Sequence, residues 1–185
     1  MFGTLVTNRQ LKELRKTKEL LIDPFDESNL KSTHYTLQAG SILRHDSDGK
    51  LTRCHSFEDN CKSPYKLEPN AYVVIEPRQM IRLMNPGIVG RFIAPSTMIE
   101  SGVALVAGQI SNNYGEKGEK IRFGLKNFSA RDFLIDENFR VAHIEFFDLR
   151  GISIDTVTMT KAEAKAWAMR LMKAIDDGVD YGDGS

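Results

Sequence analysis

From Thr36 to Phe147 the apolar residues come in short runs, each cut off within a few positions by turn-forming residues, and this rhythm excludes most folds. The runs read as strands over Thr36–Leu43, Ala71–Glu76, Met80–Met84, Gly90–Ala94, Gly102–Ala107, Lys120–Asn127, Phe133–Ile135 and Arg140–Phe147. Asp48-Gly49, Pro69-Asn70, Asn85-Pro86-Gly87, Asn112-Asn113 and Asp136-Glu137-Asn138 punctuate them. Eight strands in about 110 residues leave little length for crossover helices, so the pattern predicts a mainly β domain, a barrel or a sandwich.

Helical spacing is confined to the ends. Thr7 or Asn8 can cap a first helix carrying Leu11, Leu14 and Leu21, within a segment 1–22 that stops by Asp23, ahead of Pro24. A second helix is predicted over 160–177, capped by Thr160, with Ala164, Trp167, Ala168, Leu171, Met172 and Ile175 on one face as a docking surface for the barrel or a neighbouring subunit. An acidic, glycine-rich tail, 178–185, reads as frayed. The 185 residues make one domain, with the barrel at 34–149. The polar stretch His45–Pro64 is a long loop or a loose hairpin.

Composition narrows the partners. Lys plus Arg equals Asp plus Glu at 25 each, so no net field draws the chain to nucleic acid or to a membrane surface. No window approaches the roughly 18 uninterrupted apolar residues of a membrane helix, and Met1–Gln10 has no signal-peptide core, so the expected location is the cytoplasm. Two cysteines do not make a disulfide framework, which points to a reducing compartment. Cys54-His55 with Cys61 and His45 matches no common zinc spacing, and neither a metal nor a cofactor is implied.

Several segments in a fixed order carry a resemblance. Leu21-Ile22-Asp23-Pro24-Phe25-Asp26-Glu27 followed by His34-Tyr35-Thr36-Leu37-Gln38-Ala39-Gly40 resembles the opening of dCTP deaminases, where a DPF turn precedes a SYDLRLG strand. Pro64-Tyr65-Lys66-Leu67-Glu68-Pro69 is similar to the family's YxLEPG, and Ile88-Val89-Gly90-Arg91 to its LVGR. Ser96-Thr97-Met98-Ile99-Glu100-Ser101-Gly102-Val103 stands in the place of SSLARLGL, and Ala107-Gly108-Gln109-Ile110-Ser111-Asn112-Asn113-Tyr114 in that of AGxIDPGF. Asn127 closes the next strand as the family's asparagine does, and Phe139-Arg140-Val141-Ala142-His143-Ile144-Glu145-Phe146 resembles xRIAQLxF. Each piece is weak alone, but their order identifies a resemblance to the dCTP deaminase and trimeric dUTPase superfamily. It implies a distorted β-barrel or jelly roll, a homotrimer, and nucleotide sites at subunit boundaries.

The chemistry departs from that pattern. Metal-free removal of the cytosine amino group needs a carboxylate that takes a proton from water and passes one to the leaving amine. Counted back from Asn127, the family's glutamate falls on Gly124, flanked by Phe123 and Leu125. The arginine of SSLAR falls on Glu100, and the one before the serines on Pro95. For the dUTPase reaction, the water-activating aspartate falls on Ser111, a second motif aspartate falls on Thr36, and the glycine-rich arginine arm has no counterpart.

A binding site is what survives. By the same resemblance Ser96 and Thr97 meet phosphate, Tyr114 lies against sugar or base, Ser111 and Asn112 bond sugar or base edge, and His143 replaces a phosphate-contacting glutamine. Magnesium would enter only with a nucleoside triphosphate. Plainer roles stand beside these: Ser96 and Thr97 as turn residues, Tyr114 as a hairpin tip, His143 as a residue facing solvent or a neighbouring subunit. Glu100, Glu116 and Glu119 form either a new acidic site or a solubilising surface. The expectation is a catalytically degenerate trimer that binds a pyrimidine deoxynucleotide or a protein partner. The alternatives are an active deaminase or dUTP diphosphatase with rearranged residues, and a purely structural or regulatory trimer.

Overall fold

A computed structural model describes residues 4–58, 63–111, 114, 118 and 120–150. The sequence-derived helix 160–177, the tail 178–185, Cys61, Asn112, Glu116 and Glu119 lie outside the described residues. In chain order the elements are β1 (Thr4–Leu5), α1 (Asn8–Lys16), β2 (Leu20–Asp23), β3 (Tyr35–His45), β4 (Leu51–Ser56), β5 (Tyr65–Leu67), β6 (Tyr72–Pro77), β7 (Met80–Leu83) and β8 (Ile88–Ile93). After them come α2 (Ser96–Glu100), β9 (Val103–Val106), β10 (Gln109–Ile110), β11 (Phe123–Asn127), β12 (Phe133–Ile135) and β13 (Arg140–Asp148).

Nine strands form one antiparallel sheet, ordered β10-β8-β13-β3-β6-β11-β9, with β1 added on β13 and β4 on β3. It curls into a half-barrel, the mainly β architecture read from the punctuated apolar runs. The two short pairs β12-β5 and β2-β7 complete the strand pairing. β3 is the hinge of the sheet: Tyr35–Gln38 pair with β13, whereas Ala39–Leu43 pair with β6 and Ser41–His45 with β4. Just past the change of partner lies Gly40, at a bulge, where a Cβ would stand 2.8 Å from the backbone of Pro77 and Arg78. Only glycine lets the two backbones approach so closely.

Alternation along the strands fills the interior. Tyr35, Leu37, Ile42, Ile75, Phe123, Leu125, Ile144 and Phe146 are all buried in one continuous core. The DPF turn packs onto its edge. Its Asp23–Pro24 peptide is cis, and the Phe25 ring lies between the Arg15 guanidinium, 3.4 Å from the ring centre, and the stacked ring of Tyr35 at 5.2 Å. The Asp26 amide then donates to the Tyr35 hydroxyl at 2.9 Å.

The first helix is shorter than the apolar spacing implied. Thr7 and Gln10 form a capping box, and Leu11 and Leu14 face the core, but α1 stops at Lys16 and Lys18 turns into positive φ at 61°. Leu20–Asp23 then run extended against β7, which buries Leu20 and Ile22 and turns Leu21 outward. Leu21 belongs to a strand, not to the helix. Of the two readings of the polar stretch after His45, the hairpin holds through Ser56. The Asp46 carboxylate accepts from the amides of Asp48 and Lys50 at 3.0 and 2.9 Å, and β4 returns along β3. Cys54 on it is exposed.

Asn127 fastens the far side of the sheet. Fully buried, it donates through Nδ2 to the carbonyls of Leu67 and Arg131 at 2.9 and 2.8 Å, and its Oδ1 accepts from the Ser129 amide and hydroxyl at 2.9 and 2.8 Å. Here the asparagine of the motif ties β11 to β5 and shapes the turn at 128–132. Asn127→Ala leaves at least one buried carbonyl without a partner and should lower the unfolding free energy by about 3 kcal/mol in urea titration.

Candidate functional site

The residues singled out in the sequence fall at two ends of one strand. Ser96 and Thr97 open α2, both exposed, directly after β8. They head a one-and-a-half-turn helix rather than the turn their composition suggested, with the buried Met98 anchoring it. Glu100 sits exposed at its last position. His143 pairs across from Ile93, at this same end of β8. At the other end Ile110 pairs with Gly90, which sets Ser111 beside Val89. At about 3.3 Å per residue, Ser111 and Ser96 of one chain are on the order of 20 Å apart.

Tyr114 goes with Ser111. Its amide donates to the Ser111 carbonyl at 3.3 Å, its hydroxyl to the Lys120 carbonyl at 3.4 Å, and its ring packs half-buried against the core. The single chain therefore brings Ser96, Thr97 and His143 to one place and Ser111 and Tyr114 to another.

His143 is part of a small polar cluster. Its Nδ1 stands 3.1 Å from the hydroxyl of the buried Thr36, the residue at the second motif-aspartate position, and its ring lies 4.3 Å from that of His34. Burial holds the His143 imidazole below its usual range, and the neighbouring charges of His34 and Arg140 push it the same way. His34 is also lowered, first by burial, against the opposing pull of Glu145 and with the help of Lys31. Both rings therefore bind a proton less readily than a free imidazole, which favours their neutral, hydrogen-bonding form.

Gly124 lies mid-strand, paired with Val74 on β6 and Val106 on β9. The space over it is taken. A Cβ there would collide with the Tyr72 hydroxyl and come within 2.8 Å of two ring carbons. The tip of the exposed Tyr72 ring thus lies over Gly124, the position that the resemblance gives to the family's glutamate. On the same face, one step beyond the Phe123–Ile75 pair, Arg122 meets Glu76. Nε of Arg122 donates to the Glu76 carboxylate at 3.0 Å, and Arg53 reaches the other oxygen at 4.0 Å. Glu76 is only 4% exposed. This acid is held by two guanidiniums, and no group of three or more His, Cys, Asp or Glu able to hold a metal occurs among the described residues.

Tyr72, Glu76, Arg53 and Arg122 escaped the sequence reading. The available signal was a charge inside each of two otherwise apolar strand runs, Glu76 after Val73-Val74-Ile75 and Arg122 between Ile121 and Phe123. Neither declares its partner without the register.

The sheet is a half-barrel of the dUTPase type, and the comparison with solved structures gives it a definite counterpart. The crystal structure of 2'-deoxycytidine 5'-triphosphate deaminase from Agrobacterium tumefaciens matches with a TM-score of 0.60 at 9% identity, over 80% of this chain and 49% of that one. The chain thus spans about half the length of that deaminase. The EIAV dUTPase matches at a TM-score of 0.41 and 15% identity, over 61% of this chain and 88% of that one. The Staphylococcus bacteriophage 80alpha dUTPase, in a mutant form with dUpNHpp, matches at 0.47 and 12%, over 77% and 98%. No protein-family model and no curated protein matches the sequence. At these identities the likeness is one of fold.

The two lowered imidazoles give a pH dependence of stability. Because each binds a proton less readily in the folded chain than in the unfolded one, folding is favoured fully above the ordinary imidazole value of 6.5 and progressively less below it. Asp26 and Asp148, lowered from 3.8, titrate outside this window. The melting temperature should fall as the pH drops from about 7.5 to 5, and His143→Gln should flatten that slope in a scanning fluorimetry series.

Proposed function

We propose that this protein is a homotrimeric, catalytically silent relative of dCTP deaminases and dUTPases that binds a pyrimidine deoxynucleotide in clefts between its subunits. The observation that carries the reading is the closure of position 124. Gly124 supplies no carboxylate, and the Tyr72 ring fills the room above it. The proton transfer that deamination requires has no group at the expected place. The dUTPase positions fare no better, since Ser111 and Thr36 are hydroxyls, weak bases at neutral pH.

Binding is supported by what remains. Ser96, Thr97 and His143 at one end of β8, and Ser111, Asn112 and Tyr114 in sequence at the other, form a complete ring of contacts only when a second copy supplies one of the two sets. A trimer with sites at its boundaries meets that need. Ser96 and Thr97 would take phosphate oxygens, Tyr114 the sugar or base, and His143 a neutral hydrogen bond; magnesium would arrive with the triphosphate. No helix among the described residues is long and apolar enough to cross a membrane, in keeping with a cytoplasmic nucleotide binder.

The test combines turnover and binding in the same samples. Purified protein with dCTP or dUTP and magnesium should show a raised melting temperature and no deaminated or hydrolysed product by chromatography. Product formation would overturn the silent assignment. The absence of both signals would overturn nucleotide binding and leave the cleft to a protein partner or the trimer to a structural role. Ser96→Trp should abolish the thermal shift, and light scattering should give the trimer mass.

A further inference from the structure

A cleft of about 620 Å³ opens within a single chain, on the outer side of the sheet, lined by Arg53, Glu76, Tyr114, Gly118, Lys120 and Arg122. Its volume lies in the range of small-ligand sites, roughly 300–1,000 Å³. We propose that it holds the phosphate group of a small ligand, with Arg53 and Arg122 as the donors.

Glu76 projects from β6 and is almost wholly buried, yet two guanidiniums share its one carboxylate. Arg122 engages it closely through Nε, at 3.0 Å, while the rest of its side chain stays more than half exposed. Arg53 stands off at 4.0 Å and is half exposed. Lys120 at the rim is neutralised separately by Glu58, at 3.0 and 3.4 Å. Among the described residues the cleft thus gathers three cations against two carboxylates, and the unbalanced charge sits on the two arginines.

A planar fork already oriented by a buried carboxylate loses little freedom on binding, and its geometry matches two oxygens of a phosphate. Three pieces of the chain converge here: β4 brings Arg53, β6 brings Glu76, and the run into β11 brings Lys120 and Arg122. The cleft shares Tyr114 with the intersubunit nucleotide site and lies on the face of Gly124, but its lining residues all come from one chain, so it needs no second copy.

Titration calorimetry of the full chain with inorganic tripolyphosphate at low salt tests the proposal. Wild type should bind, and binding should weaken steeply with added salt. Arg53→Ala, which removes a half-exposed side chain, should weaken the affinity about tenfold. Arg122→Lys, which keeps a cation on Glu76 but loses the fork, should weaken it comparably, with circular dichroism confirming the fold. Lys16→Ala, which removes an exposed cation from α1 outside both sites, should bind as wild type does. No binding by wild type, unchanged affinity in both arginine variants, or equal binding of citrate would overturn the phosphate assignment. Loss in Ser96→Trp with retention in Arg53→Ala would sink this cleft and leave the intersubunit site standing; loss in Arg53→Ala without any dCTP thermal shift would do the reverse.

Discussion

The whole sheet turns on the passage of β3 past Gly40. A strand of 11 residues pairs with one partner over its first third and with two others thereafter, and the crossing is possible only because nothing projects from residue 40 toward Pro77 and Arg78. Among the described residues, the strand pairing runs from the edge carrying β8, β10 and β13 to the edge carrying β6, β9 and β11 through this strand, and the two edges also pack directly where Phe92 meets Phe123. Both groups of candidate contacts hang from the first edge, while Gly124 and the arginine cleft hang from the second.

Most of that architecture was legible in the apolar rhythm, and the misses share a cause. The pattern found strands that turn one face to the core, such as Phe133–Ile135, whose bounds are the same in sequence and structure. It missed β2 because Leu21, which faces outward between the buried Leu20 and Ile22, continues the helical spacing of Leu11 and Leu14. The break between them is made by Lys18, a residue type that carries no turn signal. β4 was hidden because it is an edge strand facing water, with Thr52, Arg53 and Cys54 all exposed. β10 is two residues long and has no pattern to show.

The site divides in the same way. Single positions such as Ser96, Thr97, Ser111 and His143 could be named from the order of motifs, since a motif fixes a residue's place along the chain. Their grouping could not, because it depends on which strand end each occupies. Cross-strand facts were the least accessible: the Thr36–His143 contact joins residues 107 apart in sequence, and the Arg122–Glu76 pair joins residues 46 apart. A chain with no net charge also gives no hint that its cations and anions are sorted unevenly over one face of the sheet.

The packing of Tyr72 over Gly124 reaches beyond present function into the mutational paths open to the chain. Any side chain placed at 124 meets the tip of the Tyr72 ring, and because Tyr72 is exposed the contact is relieved either by turning that ring toward solvent or by a smaller residue at 72. The two positions are therefore coupled, and the effect of a substitution at one depends on the residue at the other.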